Sequence, residues 1–294
     1  MPQERIQIRG SLRRARQAGT HALGRLTVGP RALPKYLVCG GYRCGASLLC
    51  RALAKHPAVL APRLYSSLDY FDVNYDRGID WYRAHFPTHR AIARTSAAAD
   101  SAATTFEASP HYLYNPIAAE RFARDLPGVK IIVCVRDPVM RARSQHTHEV
   151  ASGREPLTDF GEALSAEVTG FDHGRWAPRQ RNSHGASQLG YRQAYRTAGH
   201  YAQHLERISS IVPAQRIKVV DIGRFLSEPE KVFDDVVQFL GLTSVGAPIA
   251  RAVTAKLRPH AAQRRRLDNE LSDYFATHDE RLFEWLGETP SWRR

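Results

Sequence analysis

The stretch Gly40-Gly41-Tyr42-Arg43-Cys44-Gly45-Ala46-Ser47 decides the fold. The apolar run Tyr36-Leu37-Val38-Cys39 ahead of it reads as a short buried strand, and Ser47 to Lys55 behind it carries helical spacing. Strand, glycine loop and helix in that order are the context that a phosphate-binding loop demands. Backbone amides at the helix start, with the positive end of the helix dipole, hold an anion's oxygens, and Gly40 and Gly45 let the chain approach closely. Ala46 stands where a P-loop nucleotidase carries its lysine, so the usual cation for the β- and γ-phosphates of ATP or GTP is missing. Arg43 brings a cation into the loop instead. The expected ligand is an anionic group not handled as in NTP hydrolysis; a glycine turn without a ligand is the plainer alternative.

A second motif runs from Val129-Lys130-Ile131-Ile132-Val133-Cys134-Val135 into Arg136-Asp137-Pro138. The apolar run predicts a central strand, Asp137 suits an N-cap and Pro138 the first helical position, so Arg136 falls at the strand's carboxyl end. Open α/β sheets bind ligands at that edge. A guanidinium there, with the Ser144 hydroxyl one or two turns along the helix, offers a charged fork and a neutral donor to a second phosphate. A solvated arginine pairing with Asp137 is the bland reading of the same residues.

Strand and helix signals alternate over Tyr36 to Lys55, Lys130 to Val150 and Arg216 to Leu240. They predict an α/β fold, a P-loop-like, mostly parallel sheet flanked by helices on both faces. At 294 residues and 43% apolar content the chain can bury one sizeable core. The expected organisation is a basic N-terminal tail over 1–35 and a single α/β domain over 36–294.

From Tyr36 to Gly287 the sequence resembles the sulfotransferases that use 3'-phosphoadenosine 5'-phosphosulfate (PAPS), particularly the carbohydrate and heparan sulfate type and its bacterial relatives. The family loop, G-x-x-K-G/A-G-T-T/S, and the His-Pro closing its helix keep their spacing in Gly40 to Ser47 and His56-Pro57. Trp81 to Pro87 and Glu107 to Leu113 match further segments. Arg43 takes the family's lysine position, Ala46 its first threonine and Ser47 its second. The resemblance implies PAPS as donor, held by Gly41, Tyr42, Arg43, Cys44, Gly45, Ala46 and Ser47, with Arg136 and Ser144 on its 3'-phosphate. Lys256 and Arg258, in Lys256-Leu257-Arg258-Pro259-His260, resemble the basic loop that closes over the nucleotide, although Leu257 replaces a family glycine. Gly199-His200-Tyr201, within a helix expected over 189–211, matches a family Gly-x-Tyr, and Tyr201 reads as core.

Transfer to an alcohol also needs a proton acceptor. The family glutamate aligns with Ser67 in Ser66-Ser67-Leu68-Asp69-Tyr70-Phe71, and a serine hydroxyl cannot serve unaided. If this segment is extended, residues two apart share a side, which makes Asp69 the substitute. Glu107, His85 and His111 are its rivals. Arg43, clamping charge that builds on the bridging oxygen, is the other catalytic residue expected. No metal is required, and no H-E-x-x-H or acidic cluster has ligand spacing. The function implied is sulfuryl transfer to a hydroxyl of a carbohydrate or small metabolite. A protein of this fold that binds PAPS or its bisphosphate product without turnover, and a P-loop kinase or NTPase, are the alternatives.

Cys39, Cys44, Cys50 and Cys134 have neither disulfide nor zinc spacing, which favours a reducing, cytoplasmic setting. Cys44 reads as a small residue standing at the family's glycine position; the alternative is a thiol whose pKa is lowered by a helix start beside Arg43. The formal charge is +13, and residues 1–35 hold eight basic side chains against Glu4, a net +7. That tail suits a flexible solvated segment or an amphipathic helix on anionic lipid, a peripheral membrane contact; it has no apolar run for a signal peptide or span. Six of the 42 basic residues are lysine, an arginine bias expected of a GC-rich bacterial genome. No helix-turn-helix, RNP-like or zinc-finger signal supports nucleic acid as a partner. Arg175 to Ser187 reads as a polar loop or lid near the acceptor.

Overall fold

The computed structural model describes residues 15, 17–19, 29–62, 68–167, 193–245 and 266–294. Ser66, Ser67, Arg175 to Ser187, Lys256 and Arg258, with most of the 1–35 tail, lie outside the described residues. β1 (Tyr36–Gly40) enters the glycine loop, and α1 (Ala46–Leu53) leaves it. Next come α2 (Ile79–Arg83), α3 (His89–Ala99), β2 (Phe106–Ala108) and α4 (Pro116–Asp125). β3 (Lys130–Val135) leads into α5 (Pro138–Ala151), followed by α6 (Phe160–Ser165) and α7 (Tyr201–Ser209). β4 (Ile217–Asp221), α8 (Ile222–Ser227), α9 (Pro229–Leu240) and α10 (Arg266–Leu286) complete the chain.

The four strands form one parallel sheet in the order β2-β1-β3-β4, with Tyr36 opposite Phe106 on one side and Lys130 on the other, and Ile131 opposite Ile217. β1 and β3 are covered on both faces, which is why each is an almost unbroken apolar run rather than an alternating one. All the strands point the same way, so the loops after β1, β2 and β3 open onto one edge.

Local chemistry sets the helix ends. Asp137 accepts from the Val139 and Met140 amides at 2.9 and 3.3 Å with Pro138 behind it, as expected from sequence. Asn115 caps α4 in the same way, and Gly241 closes α9 at φ 74°. Two expectations fail. The helix over 189–211 is shorter: a 3-10 turn at Thr197–Gly199 precedes α7, because the Glu167 carboxylate takes the Arg196 and Thr197 amides at 2.8 to 3.1 Å and ends any helical ladder there. The segment through Asp69 is not extended either. Asp69 has φ 49°, its amide donates to Ser109 Oγ at 3.2 Å, and its carbonyl accepts from Asn74, so the chain turns at Asp69 and the two-residue alternation does not apply.

Candidate active site

The loop after β1 follows the sheet edge closely. The Gly41 amide donates to the Cys134 carbonyl at 3.1 Å, stitching the loop to the end of β3. A β-carbon at Gly41 would lie 2.2 Å from Cys44 Sγ, 3.0 Å from the Tyr201 ring and 3.1 Å from the Tyr114 hydroxyl, so glycine is required there for space. Gly45 starts α1 from the left-handed region at φ 86° and supplies no side-chain cap. The first-turn amides at Ala46 and Ser47 therefore present their N–H groups as an anion cradle.

Side chains from distant segments floor this cradle. The Tyr114 hydroxyl accepts from the Tyr42 amide at 2.8 Å, and Tyr201 donates to the Arg136 carbonyl at 2.8 Å while lying 3.3 Å from Cys44 Sγ. Tyr201 is thus core, as the sequence suggested. The alternative of a lowered Cys44 thiol is overturned: burial pushes the thiol up, outweighing the opposing pull of Arg141, the Tyr201 hydroxyl and Arg136. Cys44 fills space under Gly41, and all four cysteines are free and buried.

Above this floor the motif residues converge. Arg43, held at φ 70°, donates from Nε to Ser144 Oγ at 3.2 Å, and Arg136 reaches the Arg43 carbonyl at 3.5 Å. Residues 43, 136 and 144 thus meet at the carboxyl end of β1 and β3, beside the uncapped helix start. Arg43 and Ser47 are exposed and Arg136 and Ser144 half-buried, so this cluster of two cations and two hydroxyls is open to a ligand.

Sequence reasoning did not single out the support around Tyr42. Its hydroxyl donates to Glu149 Oε1 at 2.9 Å, and Arg154 pairs with the same carboxylate. Burial, then Glu149, pushes the Tyr42 phenol up, keeping it a neutral donor. His111 stacks on the Tyr42 ring at 5.2 Å, and His148 meets it edge-on at 6.0 Å. The spacing of His148, four residues after Ser144 on one helix face, was the signal available for it.

The proton-acceptor candidates separate clearly. Asp69 and His85 are wholly buried, with His85 edge-on to Trp81 at 4.7 Å. Glu107 accepts from Tyr82, Ser109 and Tyr112 at 2.6 to 2.8 Å, which occupies its carboxylate. Burial raises its pKa to about 7 against the pull of those hydroxyls. Of these four residues, His111 is the one that meets the loop.

A cavity of about 480 Å³ lined by Leu33, Tyr36, Val129, Lys130 and Leu240 opens at the amino ends of β1 and β3. It lies at the opposite edge from the convergent polar groups and belongs to a different part of the molecule. Among the described residues no cluster of His, Cys, Asp and Glu could hold a metal ion.

Fold and site together define an α/β protein with a parallel sheet and a P-loop-like turn after its first strand. The model of the sulfotransferase domain matches residues 33–288, and the chain belongs to the sulfotransferase family. It is 29% identical over 219 residues to bifunctional heparan sulfate N-deacetylase/N-sulfotransferase 4 of Mus musculus, and 31% identical over 218 residues to the human protein 3 of that name. These matches cover 72% and 71% of this chain but 22% of each relative, so the chain spans about a fifth of their length. A solved sulfotransferase from Alicyclobacillus acidocaldarius is 27% identical, with a TM-score of 0.61 over 90% of this chain and 100% of that one.

Proposed function

We propose that the chain transfers a sulfuryl group from PAPS to a hydroxyl of a carbohydrate or small metabolite. One observation carries the reading: Arg43, Arg136 and Ser144, from two loop and helix segments about a hundred residues apart, meet beside an uncapped helix start. That arrangement fits a donor bearing two separate anionic groups. The loop amides and Arg43 would hold the 5'-phosphosulfate, and Arg136 with Ser144 the 3'-phosphate. Lys256 and Arg258 remain part of the reading as a closing basic loop.

In the transfer, the acceptor oxygen bonds to sulfur as the bond from sulfur to the 5'-phosphate oxygen breaks. Negative charge gathers on that leaving oxygen, and Arg43 stabilises it. Arginine can clamp this charge but does not give up a proton, so the acceptor's proton goes elsewhere. We assign it to His111, which lies against the loop, in preference to Asp69, whose placement rested on an extended segment. The heparan sulfate relatives are named N-sulfotransferases, so an amino-sugar nitrogen belongs on the acceptor panel beside hydroxyls.

Calorimetry with 3',5'-adenosine bisphosphate against magnesium ATP tests the donor, and preference for ATP would sink the reading. Labelled PAPS offered with sugars, amino sugars, lipids and phenols tests the transfer, and binding without any transfer would make the chain a nucleotide-binding protein of this fold. His111→Asn should lower turnover about 100-fold or more while bisphosphate affinity stays within about twofold. A rate lost in Asp69→Asn and kept in His111→Asn would return the role to Asp69.

A further inference from the structure

Helix α5 carries a cation that the transfer scheme leaves unused. Arg141 is 0% exposed, among the largest fully buried side chains of the described residues. It lies three residues before Ser144 and seven before His148, on the helix face that meets Arg43 and Tyr42. Its guanidinium donates to the Gln145 side-chain oxygen and to the Tyr195 carbonyl, both neutral, and its Nε has no hydrogen-bond partner among the described residues.

Four other arginines of the domain are treated differently. Arg143 pairs with Asp268, Arg154 with Glu149, Arg224 with Glu228 and Arg293 with Asp279, and each is more exposed than Arg141. Among the described residues no carboxylate pairs with Arg141. Burying a charge without a counter-ion is strongly unfavourable, so a fold that keeps one there is short of a negative charge nearby.

The loop is where that charge is felt. Cys44, Tyr114 and Tyr201 floor the cradle, and burial raises the pKa of all three while the Arg141 guanidinium pulls each back. We infer that Arg141 is the buried counter-charge of the loop, a fixed cation behind the cradle whose balancing anion is the bound ligand's phosphate or phosphosulfate group rather than a side chain. The inference rests on the reading of the loop as an anionic-nucleotide site, and it gives that site two kinds of cation. Arg43 and Arg136 grip from the open side, where salt screens them. Arg141 acts through protein, where salt screens it little, and it is already ordered before binding.

The test is calorimetric titration of the full chain with 3',5'-adenosine bisphosphate over a sodium chloride series. Arg141→Met should weaken binding about tenfold, about 1.4 kcal/mol, at every salt concentration, leaving the salt slope unchanged. Arg141→Lys, which keeps the charge, should stay within about threefold of the wild type, and Arg136→Met should flatten the slope. Circular dichroism checks each fold; should Arg141→Met be unfolded, Arg141→Gln carries the comparison, and its unfolding too would overturn the inference in favour of a structural role. Unchanged affinity in Arg141→Met, or an equal loss in Arg141→Lys, overturns it as well. A wild type with no affinity for the bisphosphate overturns the nucleotide reading, and this inference with it.

Discussion

The two sides of the sheet's carboxyl edge are built in opposite ways. Beside β1 and β3, the polar side chains of Arg43, Arg136 and Ser144 reach toward solvent, and their mutual contacts are long, 3.2 and 3.5 Å. Beside β2, Glu107 is buried and takes three hydroxyl donors within 2.8 Å, and Ser109 and Tyr112 pass on that order by accepting the Asp69 and Phe71 amides at 3.2 Å. Saturated, dry polar networks shape a framework, whereas accessible groups with weak contacts are available to a ligand. The first side is therefore expected to govern donor binding and turnover, and the second to govern stability.

The largest effect should come from removing the cation in the loop. Arg43→Ala is expected to lower turnover of labelled PAPS about 100- to 1000-fold, the scale for losing one donor aimed at developing charge, with the melting temperature shifted by no more than a degree or two. Arg43→Lys, which installs the residue of the related loops, should keep or raise the wild-type rate. A loss under threefold in Arg43→Ala would break the comparison, because the accessible cluster would then not be the reacting one.

The next effect belongs to the β2 side and is read as stability. The Glu107 carboxyl has its pKa raised from 4.5 to about 7 by burial, so the folded chain holds a proton that the unfolded chain has released. Its contribution is fully present below about pH 4.5 and is lost as pH rises through about 7, on the order of 3 kcal/mol in total. Thermal melts from pH 5 to 8 should show a declining wild-type stability that Glu107→Gln flattens, with bisphosphate affinity unchanged at pH 6. Parallel wild-type and Glu107→Gln curves would show that this carboxylate does not sense its burial.

The meeting of Arg43, Arg136 and Ser144 was legible in sequence because its signals are local. A strand running into Gly40 to Ser47, and another running into Arg136-Asp137-Pro138, are each recognisable within a dozen residues, and sheet topology then brings their ends together. The supports were not legible. Tyr42 meets Tyr114 and Glu149 across 72 and 107 positions, and Cys44 meets Tyr201 across 157, with nothing in the intervening chain to announce the pairing. The turn at Asp69 was hidden for the same reason, since its amide is held by Ser109, 40 positions away. Arg141 and His148 sit at helical spacing from Ser144, but a helix alone does not say which arginine finds a carboxylate.

Gly41 joins the two sides, and a smaller effect there tests how tightly they are coupled. A methyl group at this position meets Cys44 Sγ at 2.2 Å, with the Tyr201 ring and Tyr114 hydroxyl at 3.0 and 3.1 Å. Gly41→Ala should therefore destabilise the fold by about 1–3 kcal/mol, the usual cost of overpacking, read as a lower melting temperature. The Cys44 contact is the only one of the three below 3.0 Å. Removing that sulfur should accordingly recover part of the loss, so Gly41→Ala combined with Cys44→Ala should be more stable than the sum of the two single changes by about 0.5 kcal/mol or more. Strict additivity would mean that the loop moves away from Cys44 as a body, and bisphosphate affinity should then fall in Gly41→Ala even where stability is restored.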